Sequence, residues 1–224
     1  MSMATEKIAF FDVDHTITRG ATPLAFALEC ARCGMVKRRY FLLVPFLYIL
    51  YRCFSIKMED LFQLILPYLK GVTRDVFLSV GEEAFRRKVR RSCYQDARKE
   101  IQELQENGVR VVLATSSPFE AVVFLARYLG IPDENILSTR FHYDGDVFDG
   151  RLEGIPVFAR CKRDIVFAFT RGCGVDISEC SFYSDSVHDL PLLSVVGRPV
   201  PVNPDRRLRR EAHKRGWVIR RFRH

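Results

Sequence analysis

Long apolar runs are scarce in this chain of 224 residues. The stretch YFLLVPFLYILY, residues 40–51, is charge-free but falls short of the roughly 20 residues that a bilayer-spanning helix needs. Its first reading is a buried helix kinked by Pro45; Lys37, Arg38 and Arg39 beside it also suit contact with an anionic lipid surface. The start MSMATEK lacks the basic and then apolar regions of a secretory signal, and the seven cysteines are an odd number. Both absences predict a reduced, cytoplasmic protein. Cys30 and Cys33 form a CxxC, but no second CxxC and no HxxxH accompany it, which removes the common structural zinc patterns. Repeats and low-complexity segments are absent as well.

What is present is a chain 48% hydrophobic with a formal net charge of +8. That composition suits one α/β domain with a modest insertion, and the charge favours anionic partners: phosphate, nucleic acid or an acidic membrane face. EKIAFF (6–11) reads as a short buried strand stopping at Asp12, VRVVLA (109–114) as a second stopping at Thr115, and ECSFYS (179–184) as a third stopping at Asp185. Helical spacing precedes the second and third, through Ile101 and Leu104 up to Gly108, and through Ile165, Val166 and Phe169 up to Gly172. Alternation of this kind predicts a Rossmann-like parallel sheet between two helical layers, with ligands gathered outside the carboxyl ends of the strands.

About ninety residues separate the first two strands, far more than one crossover helix uses. Segments 21–39, 40–54, 58–70 and 73–94 carry mostly helical spacing, so an all-helical cap is expected over 21–95, inserted into a core of 1–20 and 96–224. Towards the carboxyl end the sequence suggests a hairpin at 143–152 and a short helix at HDLPLL. PVPVN (199–203) reads as a fourth strand, DRRLRREAHKRG as a basic helix and WVIRRF as a final edge strand.

The chemistry concentrates in FFDVDHTIT, residues 10–18. Asp12 and Asp14 project from one strand edge, where two like charges make sense if a divalent cation sits between them or if one holds a proton. Asp185, from another strand end, adds a third hard-oxygen group of the kind that Mg²⁺ takes. Singly, Asp185 and Asp189 read equally as helix caps, Thr115 as another, and Lys162 as an exposed lysine. Together, residue type, order and strand-end placement favour a site.

FDVDHT, ATSS, the lysine of CKRD and YSDSVHDLPLL resemble the four motifs of the haloacid dehalogenase superfamily. Their order and spacing are similar to subfamily IB, the phosphoserine-phosphatase-like hydrolases with a helical cap of the C1 type. The likeness runs from about Lys7 to Trp217. It implies a phosphatase in which Asp12 attacks phosphorus to form an aspartyl-phosphate, and Asp14 protonates the leaving alcohol and later takes a proton from water. It implies Mg²⁺ held by the Asp12 carboxylate, the Asp14 backbone carbonyl and Asp185. Thr115, with Ser116 as the alternative hydroxyl, would bind a phosphoryl oxygen, helped by the amides of Ser116 and Ser117. Lys162 would neutralise the transferring group, and Asp189 would bond Lys162 or a metal-bound water. His15 and His188 are given local roles.

One departure bears on substrate. Phosphoserine phosphatases carry an acidic residue shortly after the first motif and an arginine in the cap. Here the first position falls near Ala21, and KMEDLFQLILPYL (57–69) has no arginine, so phosphoserine is disfavoured against another small phosphorylated metabolite or a lipid head-group phosphate. The basic tail RRLRREAHKRGWVIRRFRH lacks interleaved aromatics for base stacking, which argues against nucleic acid; a solvated face or a weak contact with an anionic membrane remains. Two other classes stay in view, a non-enzymatic aspartate phospho-acceptor and a peripheral membrane protein. The acceptor needs neither Asp14 nor a ninety-residue insertion.

Overall fold

A computed structural model describes residues 7–35 and 66–223. Strands β1 (Ile8–Phe11), β2 (Arg110–Pro118), β3 (Ile136–Thr139), β6 (Cys180–Ser184) and β7 (Arg198–Pro201) form one sheet. Its order is β3-β2-β1-β6-β7 and every pairing is parallel. A separate antiparallel hairpin joins β4 (Phe141–Asp144) to β5 (Val147–Leu152).

All four residues of β1 are buried, as a central parallel strand covered on both faces requires. Ala9 and Phe11 enter one apolar layer, Ile8 and Phe10 the other. The first layer is filled from α1 (Thr22–Arg32), α2 (Arg74–Ala84), α3 (Gln95–Glu106) and α4 (Phe119–Tyr128). The second is filled from α5 (Ala159–Gly172), α6 (Leu190–Leu193) and α7 (Arg206–Arg215). Phe11 stacks on Tyr183 across the strand pair with centroids 4.1 Å apart, and the Tyr183 hydroxyl donates to Glu100 Oε1 at 2.8 Å. The large aromatic core thus carries no orphaned polar atom at this position.

The chain runs outward from β1 through β2 to β3, then returns to the other side of β1 with β6. That reversal opens a crevice beyond the carboxyl ends of β1 and β6. Asp12 follows β1 and Asp185 follows β6, so both border it; the Asp12 N–H donates to the Tyr183 carbonyl at 2.9 Å.

The segments entering and leaving the insertion lie side by side. Thr18 forms an antiparallel bridge with Cys93, Arg19 N–H donates to Ser92 O at 2.8 Å and Tyr94 N–H to Ile17 O at 2.9 Å. The hairpin reaches the inserted segment too: Gly71 N–H donates to Phe148 O at 2.9 Å, and Phe148 N–H to Val72 O at 2.8 Å. Phe77, Phe141 and Phe148 pack there with centroids 4.9–5.6 Å apart.

Several boundaries differ from expectation. β2 does not stop at Thr115 but continues to Pro118 through a register irregularity opposite β3. The four-residue edge strand β3 has no counterpart in the sequence pattern, being too short for a clear period. The segment 73–94 is not one regular helix, since a π turn, Phe85–Val89, interrupts it before Arg90–Ser92. WVIRRF forms no strand: Arg220 alone bridges Val202, with Val218 before it and Arg221 after it exposed. The expected helix over 40–54, most of that over 58–70, and the lipid question at 40–51 lie outside the described residues. Among the described residues, no helix is long and apolar enough to cross a membrane, and the six cysteines are free thiols.

Candidate active site

The first cluster is built from three buried side chains. Lys162, on the first turns of α5 and only 3% exposed, donates from Nζ to Asp12 Oδ1 at 2.8 Å and to Asp189 Oδ2 at 2.9 Å. Ser184, the last residue of β6, donates to the same Asp189 oxygen at 2.6 Å. Burial pushes the Asp12 carboxyl up to about 7; Lys162 opposes this, while Asp189 and Asp14 add to it. Burial also works against the Lys162 charge, but the two carboxylates outweigh it and hold the ammonium above the usual lysine range.

Asp14 has different surroundings. Val13 O gathers the turn, accepting from Ile17 N–H at 2.9 Å and Thr18 N–H at 3.1 Å, with His15 at φ 62°. That turn directs Asp14 towards the inserted segment rather than towards Lys162. Asp14 Oδ1 accepts from Thr22 N–H at 2.6 Å and from Thr22 Oγ1 at 2.8 Å, and Oδ2 accepts from Ser117 Oγ at 2.6 Å. Thr22 and Ser117 also meet each other at 2.9 Å. Thr22 is the first residue of α1, whose N-cap, Ala21, has no side chain able to cap it. Asp14 serves as that cap from eight residues away.

The three residues after the β2 apolar run separate in role. Thr115 is fully buried, and its Oγ1 accepts from Ser117 N–H at 3.2 Å. The Ser117 hydroxyl and amide are therefore both engaged inside the protein. Ser116 is partly exposed, and its carbonyl accepts from Thr139 Oγ1 at 2.8 Å. The helix that follows begins at Phe119, too late for amides 116 and 117 to form its first turn.

Asp185 is 5% exposed, and its carbonyl accepts from Asp205 N–H at 2.8 Å. Asp205 in turn caps α7, accepting from Arg207 and Leu208 N–H at 2.8 Å, and its second oxygen accepts from Val187 N–H at 2.9 Å. It thus fixes the loop that carries Asp185. His188 is exposed and its ring lies 5.2 Å from that of Phe158.

The donor set suits Mg²⁺. Asp12 and Asp185 are buried carboxylates at neighbouring strand ends, whereas the Asp14 side chain is taken by Thr22 and Ser117, leaving it only a backbone oxygen to offer. Among the described residues no three His, Cys, Asp or Glu side chains gather as a metal cluster. Two carboxylates, a carbonyl and water form the sparse, hard-oxygen set that Mg²⁺ accepts.

Sequence patterning does not single out Thr22, Ser184 or Asp205. The available signals are weak: a threonine before proline where Ala21 cannot cap, a serine closing a buried strand, and an aspartate opening the basic helix.

A comparison with protein families matches the haloacid dehalogenase-like hydrolase profile over residues 9–194. The chain belongs to that family. It is 31% identical over 230 residues to a protein of Mycobacterium tuberculosis named phosphoserine phosphatase SerB1, covering 96% of this chain and 70% of the relative. A crystal structure of a protein of unknown function from Bordetella pertussis Tohama I superposes with a TM-score of 0.87 at 28% identity, covering 96% of this chain and 98% of the other. A substrate-bound phosphoserine phosphatase shares the fold, with a TM-score of 0.69 at 17% identity over 97% and 94% of the two chains. Within the haloacid dehalogenase-like hydrolases the chain sides with the phosphoserine-phosphatase-like enzymes.

Proposed function

We propose that the protein is a Mg²⁺-dependent phosphomonoester hydrolase working through an aspartyl-phosphate on Asp12. The observation that carries this reading is the separation of the two aspartates: Asp12 is buried against Lys162, while Asp14 is held by hydroxyls and a backbone amide. A nucleophile must remain ionised next to an anionic phosphate, and Lys162 supplies the compensating charge. An acid and base must sit where a proton can pass to the leaving oxygen, and partly exposed Asp14 does.

In this scheme the Asp12 oxygen forms a bond to phosphorus as the bond from phosphorus to the substrate oxygen breaks, and Asp14 gives that oxygen a proton. Water then attacks the aspartyl-phosphate. Asp14 takes the water's proton, the Asp12–phosphorus bond breaks, and inorganic phosphate leaves. Bound Mg²⁺ would neutralise the paired anions and polarise a phosphoryl oxygen, held by the Asp12 carboxylate, the Asp14 carbonyl and Asp185. Lys162 stays fixed by Asp189, which Ser184 holds in turn. Of the hydroxyls of the second motif, we favour Ser116 over Thr115 for the phosphoryl oxygen, because Thr115 is sealed from solvent and the Ser117 hydroxyl is committed to Asp14.

We place the substrate among small phosphorylated metabolites or lipid head-group phosphates. The name of the Mycobacterium tuberculosis relative belongs to that protein; Ala21 here, and a cap segment without arginine over 57–69, argue against phosphoserine. Phosphate release from p-nitrophenyl phosphate should require Mg²⁺, cease with EDTA and fall at least about 10⁴-fold in Asp12→Asn. Undiminished release by pure Asp12→Asn protein would overturn the assignment of the nucleophile. A stable phosphoprotein without turnover would instead favour the acceptor reading. A panel of phosphorylated metabolites and lipids then identifies the leaving alcohol.

A further inference from the structure

We propose that Thr22 and Ser117 are positioning residues for the proton-transfer step, and that through Thr22 the seating of α1 sets the aim of Asp14. The inference rests on the reading of Asp14 as acid and base. Both side chains are buried, Thr22 at 1% exposure and Ser117 at 0%, and both turn a hydroxyl to the Asp14 carboxylate. They come from opposite parts of the chain: Thr22 starts α1 in the inserted segment and Ser117 is the last residue but one of the core strand β2.

The hydrogen-bond inventory argues for more than a structural knot. Three oxygen–oxygen contacts close the ring, Thr22 to Asp14 at 2.8 Å, Ser117 to Asp14 at 2.6 Å and Thr22 to Ser117 at 2.9 Å. Each carboxylate oxygen of Asp14 thus meets a hydroxyl, Oδ1 that of Thr22 from the inserted segment and Oδ2 that of Ser117 from the core, and the contact between the two hydroxyls braces them against each other. The direction of the carboxylate is thereby fixed from two sides.

Thr22 ties this ring to the helix. Its backbone N–H, left uncapped by Ala21, donates to Asp14 Oδ1 at 2.6 Å, so the Oδ1 side of Asp14 is held by the first turn of α1. A substrate that shifts α1 on entering would shift the acid with it. Asp12 has no such link, because its side chain bonds to Lys162 in the core.

The test is a leaving-group series. An acid out of line harms a phosphate ester with a poor leaving group, such as a simple alkyl phosphate, far more than p-nitrophenyl phosphate, whose leaving oxygen needs little protonation. Thr22→Val keeps the backbone N–H and removes the hydroxyl; Ser117→Ala removes the second. Each should lower the alkyl-to-aryl ratio of kcat/KM, which reads the step that releases the alcohol, by about 10-fold to 100-fold, and Thr22→Ser should restore the ratio. Equal losses of kcat/KM on both esters, or unchanged kcat with both esters, would mean a structural role and overturn the inference. If Thr22→Val fails to fold, Ser117→Ala carries the same comparison. Wild type without Mg²⁺-dependent phosphate release, or active Asp12→Asn, overturns the phosphatase reading and this inference with it. An active wild type, an inactive Asp12→Asn and an unchanged ratio overturn the positioning role alone.

Discussion

Asp12 and Asp14 are two positions apart in sequence and belong to different regions of the molecule. Asp12 is rooted in the core: its amide extends the β1–β6 pairing and its carboxylate faces a lysine that a second carboxylate holds. Asp14 is held where insertion and core meet, by the first residue of α1 on one side and by Ser117 of β2 on the other. The difference teaches how one turn can serve two chemistries. A single residue, Val13, separates them, and its carbonyl gathers the following amides so that the chain leaves strand geometry at once. Asp14 adds to the upward push on the Asp12 carboxyl, but each group has its own partners, a lysine for Asp12 and two hydroxyls with an amide for Asp14.

The largest break in the comparison comes from Lys162→Ala. That change leaves Asp12 and Asp189 buried without their shared cation, and removing one member of a buried ion pair costs about 3–5 kcal/mol. Turnover should fall by about 10²-fold to 10³-fold through loss of a transition-state charge. The alkyl-to-aryl ratio should hold, since Asp14 makes no bond to Lys162. Calorimetric melting and phosphate release with both esters check this; a collapsed ratio would show the two regions to be one unit. Lys162→Arg should not rescue, because a planar fork replaces a compact ammonium at a site 3% exposed.

A second prediction uses pH. Burial pushes Asp12 up to about 7, so in metal-free protein the proton is held below that pH and must leave before a cation binds. Apparent Mg²⁺ affinity should therefore weaken as pH falls through 7, by up to about tenfold per unit, and level off above it. Titration calorimetry in two buffers of different ionisation enthalpy reads the released proton. Asp12→Asn should lose the release and Asp14→Asn should keep it; the reverse pattern would exchange the roles of the two aspartates.

Much of this arrangement is legible in the amino-acid sequence. Apolar runs ending at Asp12, Thr115 and Asp185 locate three parallel strands, because a strand buried on both faces must be apolar and must stop where polar chemistry begins. The Lys162–Asp189 contact is among the alternatives that the motif likeness allows. Hidden are features with no period to read. β3 has four residues, and the WVIRRF segment reads as an edge strand yet bridges its neighbour only at Arg220. The ring around Asp14 is hidden for a different reason: Thr22 and Ser117 are common residue types lying 95 positions apart, and only the packing of α1 beside β2 brings them to one carboxylate.

The smallest expected effect probes how rigidly the cap-side region is held. Gly81 of α2 lies against the first turn of α4, where an added Cβ would come 1.9 Å from the Glu120 carbonyl oxygen. Backbone cannot yield as a flexible side chain can, so Gly81→Ala must push the two helices apart. Overpacking of this kind costs about 1–3 kcal/mol, a Tm loss of roughly 3–10 °C in a chain of this size. Glu120 follows Ser117 by three residues, and the displacement should reach the Asp14 ring before it reaches Lys162. Alkyl-phosphate turnover should then fall more than aryl-phosphate turnover, in the same direction as Ser117→Ala but by a smaller factor. An unchanged Tm would show that α2 and α4 separate freely, and the coupling of the insertion to Asp14 would then run through Thr22 alone.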